Sequence, residues 1–183
     1  PRLPIPIRSL MLEDFTVTYR DAVRRMALRL RADSQAPANA SDPWHTRIEF
    51  EGEYADSPFN GHALTGPVLT LQDTAQPFPF KGQLKAGSTD FQAEGTVADL
   101  LGDMTIDAKL RIAGPSLDSL YPTLPLALPS TPPYRIEGRL LQQEGRYRLE
   151  EISGRVGRSD IRGTGDFDMT RARPLLTAEL RSD

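Results

Sequence analysis

The side chains in this sequence that could do chemistry are few. His45 and His62 fall on neighbouring predicted strands, but no acidic or histidine spacing around them supplies the further ligands a metal triad needs. They read as surface or strand-edge residues. Asp166 and Asp168, in "GTGDFDMT", are two apart, which on a strand sends both carboxylates to one face. Calcium takes roughly six to eight oxygens, so a pair without a binding loop reads as a solvated face. Trp44 follows "SDP" at a strand start, and a glycan-stacking platform would need aromatic companions that cannot be identified. There is no cysteine, hence no thiolate metal site or thiol nucleophile. The G-x-S-x-G elbow, the phosphate-binding loops and H-E-x-x-H are all absent. These features predict a chain that is not an enzyme, with no catalytic residue, no metal and no cofactor.

The elements that would have to position any site are strands. Period-2 alternation runs through almost the whole chain. "HTRIEFEGEY" places Ile48, Phe50, Gly52 and Tyr54 on one face and Arg47, Glu49, Glu51 and Glu53 on the other. "FPFKGQLKA" sets Phe78, Phe80, Leu84 and Ala86 against Lys81, Gln83 and Lys85. "MTIDAKLRI" sets Met104, Ile106, Ala108, Leu110 and Ile112 against Asp107, Lys109 and Arg111. "YRIEGRL", "RYRLEEI" and the final "LLTAELRSD" continue the pattern. In "LMLEDFTVTY" the parity changes between Leu12 and Phe15, as a β-bulge would produce. The pattern predicts about eleven strands joined mostly by tight turns.

One short phrase recurs: "SPFNGHALT" (57–65), "TDFQAEGTV" (89–97) and "SDIRGTGDF" (159–167). Each is the predicted return strand of a hairpin, with small residues (Gly61 and Ala63, Ala93 and Gly95, Gly163 and Gly165) in its interior. Glycine inside a strand marks a bend, a bulge or close approach of another backbone. The expected fold is therefore all-β: a curved, twisted, mostly antiparallel sheet built from repeated hairpins. One face is apolar and one charged, so the apolar face must be covered by a second sheet, by closure into a barrel, or by something other than protein. Too few helical residues exist to cover it.

Two stretches interrupt the strands. "SQAPANASDP" (34–43) reads as a flexible loop. Residues 114–133 read as a short helix capped by Ser116, with Leu117, Leu120 and Tyr121 on one face and Pro122 as its stop, followed by a proline-rich connection. "GPVLTLQDTAQP" (66–77) reads as a second short helix.

Composition excludes several classes. The net charge of −3 argues against nucleic acid, which needs a concentrated basic surface. The basic cluster "RDAVRRMALRLR" (20–31) reads as a solvated edge, its arginines spread over both faces of one strand. No run approaches the roughly 20 apolar residues of a membrane helix. The start at Pro1 and the closing strand-like "LLTAELRSD" predict a piece of a longer chain.

The sequence from residue 114 onward resembles the AsmA family of bacterial envelope proteins. The resemblance rests on "GPSLDSLYP" (Gly114–Pro122), "PSTPPYRIEGRL" (Pro129–Leu140), "GRVGRSDIRG" (Gly154–Gly163) and "PLLTAEL" (Pro174–Leu180). Residues 114–183 thus look like one AsmA-type repeat, and "PFPFKGQLKAGSTDFQAEGTVAD" fits the repeat before it. The resemblance implies a single segment, 1–183, of a longer repetitive β-groove protein. It also implies periplasmic location in a Gram-negative bacterium, with an inner-membrane anchor helix outside this segment. The implied function is binding or conducting phospholipid along a hydrocarbon-lined groove between the two membranes. An envelope scaffold binding protein partners through exposed sheet edges is the alternative. The residues expected to line the groove and meet acyl chains are Ile48, Phe50, Tyr54, Phe78, Phe80, Leu84, Phe91, Val97, Met104, Ile106, Leu110 and Ile136. Packing against each other in a sandwich core is the competing expectation for the same residues.

Overall fold

β-Branched and aromatic residues at every second position favour extended backbone, and each run here stops at a Gly, Asp or Pro turn. In the computed structural model, residues 10–23, 25–39, 41–72, 76–99, 103–120, 128–171 and 175–182 are described. They form eleven strands: β1 (Phe15–Asp21), β2 (Met26–Ser34), β3 (Thr46–Tyr54), β4 (Ser57–Thr65), β5 (Phe78–Ala86), β6 (Thr89–Ala98), β7 (Thr105–Gly114), β8 (Tyr134–Gln143), β9 (Arg146–Val156), β10 (Ser159–Asp168) and β11 (Leu175–Ser182). All pair antiparallel in simple chain order, each strand with its sequence neighbours. The three expected hairpins are β3–β4, β5–β6 and β9–β10.

The sheet is open. β1 and β11 do not pair, and all substantial strand contacts are between consecutive strands. Neither a second sheet nor barrel closure covers the apolar face among the described residues. The accessible surface of 12846 Å² is far above the roughly 8,800 Å² of a compact monomer of this mass. A single layer has that excess because each strand keeps two faces.

The two helical expectations resolve into single 3₁₀ turns, Val68–Gln72 and Leu117–Leu120. Ser116 does not cap its own turn: its Oγ accepts from the Thr131 N–H at 2.8 Å, and Thr131 Oγ1 accepts from the Leu117 N–H at 3.1 Å. That reciprocal bracket ties the two ends of the long β7–β8 connection together. Tyr121 and Pro122 lie outside the described residues. In the β2–β3 connection, Asp42 accepts from the N–H groups of Ala38 and Trp44. These two bonds, Ala38 first, hold its carboxyl below the ordinary value.

The parity change near the start is a bulge. Leu12 accepts from the Ser34 N–H while Phe15 pairs with Ala32, so Glu13 and Asp14 together oppose Asp33. Asp14 takes a left-handed φ of 48°, which an Asp tolerates better than most residues. The basic cluster requires a correction: Arg20, Arg29 and Arg31 share one face rather than two. A turn after Asp21 separates β1 from β2 and resets the parity.

Candidate functional face

Register converts the local alternation into two continuous faces. Val17, Leu30, Phe50, Gly61, Leu84, Phe91, Ile112, Ile136, Gly154 and Ile161 stand opposite one another, strand by strand, from β1 to β10. One residue over, Thr16, Arg31, Glu49, His62, Gln83, Gln92, Arg111, Glu137, Ser153, Arg162 and Arg181 run from β1 to β11 on the other side.

Eleven of the twelve expected lining residues lie in strands on the apolar face. Ile48, Phe50 and Tyr54 are on β3, Phe78, Phe80 and Leu84 on β5, and Phe91 and Val97 on β6. Ile106 and Leu110 are on β7, and Ile136 is on β8. Met104 precedes β7 by one residue, in the connection. Phe78 and Val97, at strand ends, are buried, Tyr54 is exposed, and the others are half-buried. The same face continues beyond the expected set, through Phe15, Val17 and Tyr19 on β1 and Leu176 and Leu180 on β11, all exposed. Propagating the alternation through the register would have found them.

Burial concentrates at the two strand-end rims of this face. At one rim Thr46 and Thr65 both donate to the Gly66 carbonyl at 3.2 Å, and both are buried beside Phe78. At the other, Ala86, Thr89 and Tyr134 are buried, with the two hydroxyls 3.5 Å apart. Burial pushes the Tyr134 phenol up, against the weaker pull of its Thr89 hydrogen bond.

Large side chains on this face lie over glycines. A Cβ added at Gly61 would collide with the Gln83 carbonyl oxygen and stand 2.6 Å from Phe50 Cζ. At Gly95 it would meet the Asp107 carbonyl and stand 2.7 Å from Ala108 Cβ. The neighbouring backbone rises toward the apolar side at both places, as the small residues in the recurring phrase led one to expect.

The opposite face is an ionic lattice. Arg139 meets Asp107 at 2.6 Å, Arg148 meets Asp166 and Arg155 meets Asp160 at 2.8 Å, and Arg111 meets Glu137 at 3.0 Å. Open depressions of about 660 Å³ and 940 Å³ lie on this charged side, the first between His62, Lys81, Glu94, Lys109 and Arg139, the second around Arg111, Arg135 and Arg155. His62 faces Glu49 in register, and His45 Nδ1 lies 3.0 Å from the Pro43 carbonyl. Asp166 and Asp168 share a face, but Asp168 is taken by Thr170 and Arg171. Trp44 carries Lys81 Nζ 4.5 Å above its ring. Among the described residues no group of three His, Asp or Glu side chains could hold a metal ion.

The fold and this face define a class: an open antiparallel β-sheet segment that is apolar on one side and charged on the other. Comparison with curated proteins places it further. The chain is 29% identical over 140 residues to the AsmA family protein YhjG of Escherichia coli (strain K12). The match takes in 74% of this chain and 20% of that protein, so the chain spans about a fifth of the relative's length. The chain is AsmA-like. No family model matches it, and no solved structure does.

Proposed function

We propose that this segment holds phospholipid acyl chains against its apolar face, as one stretch of an AsmA-like envelope protein that carries lipid between the inner and outer membranes. The parent chain is periplasmic in this reading, with its membrane anchor in a part outside the segment. The observation that supports it is the single open layer: an apolar face crosses the sheet with no second layer of described residues on it. Each methylene an acyl chain removes from water is favourable by about 0.8 kcal/mol, so a long face holds a lipid without one deep pocket.

The test is photo-crosslinking in cells with the full-length protein and labelled phospholipid. Crosslinkers at Phe50 and Phe91 report on the apolar face, and those at Glu51 and Gln92 on the charged one. Lipid adducts at the first pair alone support the reading. Adducts at neither pair, with Phe50 and Phe91 joined only to protein, would sink it.

A second reading has its own observation. Among the described residues β1 and β11 each have an unpaired outer edge, and both strands are exposed. Such edges accept a partner strand by β-augmentation, and the segment then works as an assembly scaffold. Protein crosslinks mapping to β1 and β11, without lipid adducts, favour it.

A further inference from the structure

Four polar residues are buried in the described structure: Thr46, Thr65, Thr89 and Gln142. Three of them have partners. Thr46 and Thr65 donate to the Gly66 carbonyl, and Thr89 meets the Tyr134 hydroxyl. Gln142 is different: the residue is 6% exposed, and its Oε1 meets no hydrogen-bond donor. An orphaned buried acceptor is unusual, because the group has given up water without replacement.

The register places this carboxamide on the apolar face. Gln142 stands on β8 between Ile106 of β7 and Tyr147 of β9, and Leu140 precedes it on the same face. Beyond these, the row continues to Val97 on β6 and Phe167 on β10. Ile106, Leu140, Val97 and Phe167 carry no side-chain donor. Tyr147 carries a phenol O–H, but its ring packs against Phe167, with centroids 6.2 Å apart, and Oε1 is left without a bond. An amide in a row of hydrocarbon is a poor choice for packing alone, since leucine or methionine fills similar space without a polar atom to satisfy.

We infer that Gln142 is the polar contact of this face, its Oε1 accepting a hydrogen bond from an N–H or O–H group on the headgroup of a bound phospholipid. The inference rests on the lipid reading above and adds selectivity to it. The shared chemistry is a donor next to acyl chains, which an ethanolamine ammonium and a glycerol headgroup hydroxyl both supply. A choline headgroup has neither N–H nor O–H and cannot satisfy the amide. A lipid lying along the row parts the apolar side chains that shield Oε1 and brings its donor to that atom. One such bond shifts occupancy by about fivefold between headgroups.

The experiment uses the full-length protein with a photo-crosslinker at Ile106, so that only lipid beside Gln142 is read. It is exposed to vesicles of equal ethanolamine, glycerol and choline phospholipids with identical acyl chains, and adducts are identified by mass. The wild-type protein is expected to capture ethanolamine and glycerol lipids about fivefold over choline lipid. Gln142→Leu should bring the three to parity, by lowering capture of the ethanolamine and glycerol lipids to the level of the choline lipid. Gln142→Met, closer in length, repeats the measurement if the leucine variant does not accumulate. Gln142→Glu separates the two donors, retaining ethanolamine lipid and rejecting the anionic glycerol lipid. Parity in the wild-type protein, or a preference that survives Gln142→Leu, would overturn the inference. So would a lowered Tm with an unchanged lipid ratio, the mark of a purely structural glutamine. Adducts at Phe50 but none at Ile106 also sink it while leaving the lipid reading intact; none at either position sinks both.

Discussion

At the scale of single residues, Asp168 on the charged face shows what holds a part-exposed carboxylate in its ionised form. Asp168 is held at about pKa 2, first by the Thr170 hydroxyl, then by the Thr170 N–H, then by Arg171. Its ordinary value is 3.8, so the folded state prefers the ionised form. The stabilisation is complete above about pH 4 and disappears as pH falls through about 2, because the unfolded chain takes up the proton first. A carbon-detected NMR titration of Asp168 should show its midpoint near 2, and Thr170→Ala should move that midpoint up toward 3.8. A wild-type midpoint already at 3.8 would mean that the Thr170 and Arg171 bonds do not form in solution. A general acid needs the opposite shift, which is why this aspartate reads as a turn-forming residue.

At the scale of elements, two glycines of the recurring phrase separate close packing from mere permissiveness. Gly61 lies under Phe50 and against the Gln83 carbonyl, so a methyl group there forces β4 and β5 apart. Gly165 sits beside the β9–β10 bulge, and a Cβ there would meet only ordinary contacts at 3.8 Å, from Ile152 Cδ1 and the Thr177 carbonyl. Gly61→Ala is expected to lower stability by about 2 kcal/mol, the cost of overpacking. Gly165→Ala should be neutral or stabilising by about 0.5 kcal/mol, because alanine loses less backbone freedom on folding. Urea unfolding of the two variants side by side checks this; equal effects would refute the assignment of close approach to Gly61. Both glycines were legible as strand-interior small residues. Which of them meets a neighbouring backbone was not, since that depends on how the sheet bends.

At the scale of the whole molecule, an open layer makes the apolar face available, and that availability has a measurable consequence. Phe91 is half-buried on the central strand β6, opposite Leu84 and Ile112. A Lys there places a charge where acyl chains are proposed to lie, and Gln92→Lys places the same charge on the other face. With the crosslinker at Phe50, Phe91→Lys is expected to cut lipid adducts about tenfold, and Gln92→Lys to leave them unchanged. Equal losses would point to general destabilisation of the sheet rather than to the face. The outer edges of β1 and β11 belong to this scale as well, because a sheet of neighbouring pairs leaves two of them by construction.

The alternation at 46–54, 78–86 and 105–112 by itself determined that the chain forms antiparallel strands with one apolar and one charged face. The reason is local: a side-chain period of two is set by backbone geometry and survives any tertiary arrangement. The tight turns at 55–56, 87–88 and 157–158 likewise fixed which strands are hairpin partners. Openness was a tertiary matter. A sandwich, a barrel and an open sheet share one alternation, and they differ only in twist and in whether β1 meets β11, contacts between residues far apart in sequence. The same distance separates Gln142 from legibility. In "YRIEGRLLQQ" it is one of two polar residues at a strand end, and only folding puts it between Ile106 and Tyr147 with its acceptor unsatisfied. A polar atom's burial and lack of partner are properties of its neighbours, and those come from β7 and β9 rather than from its own strand.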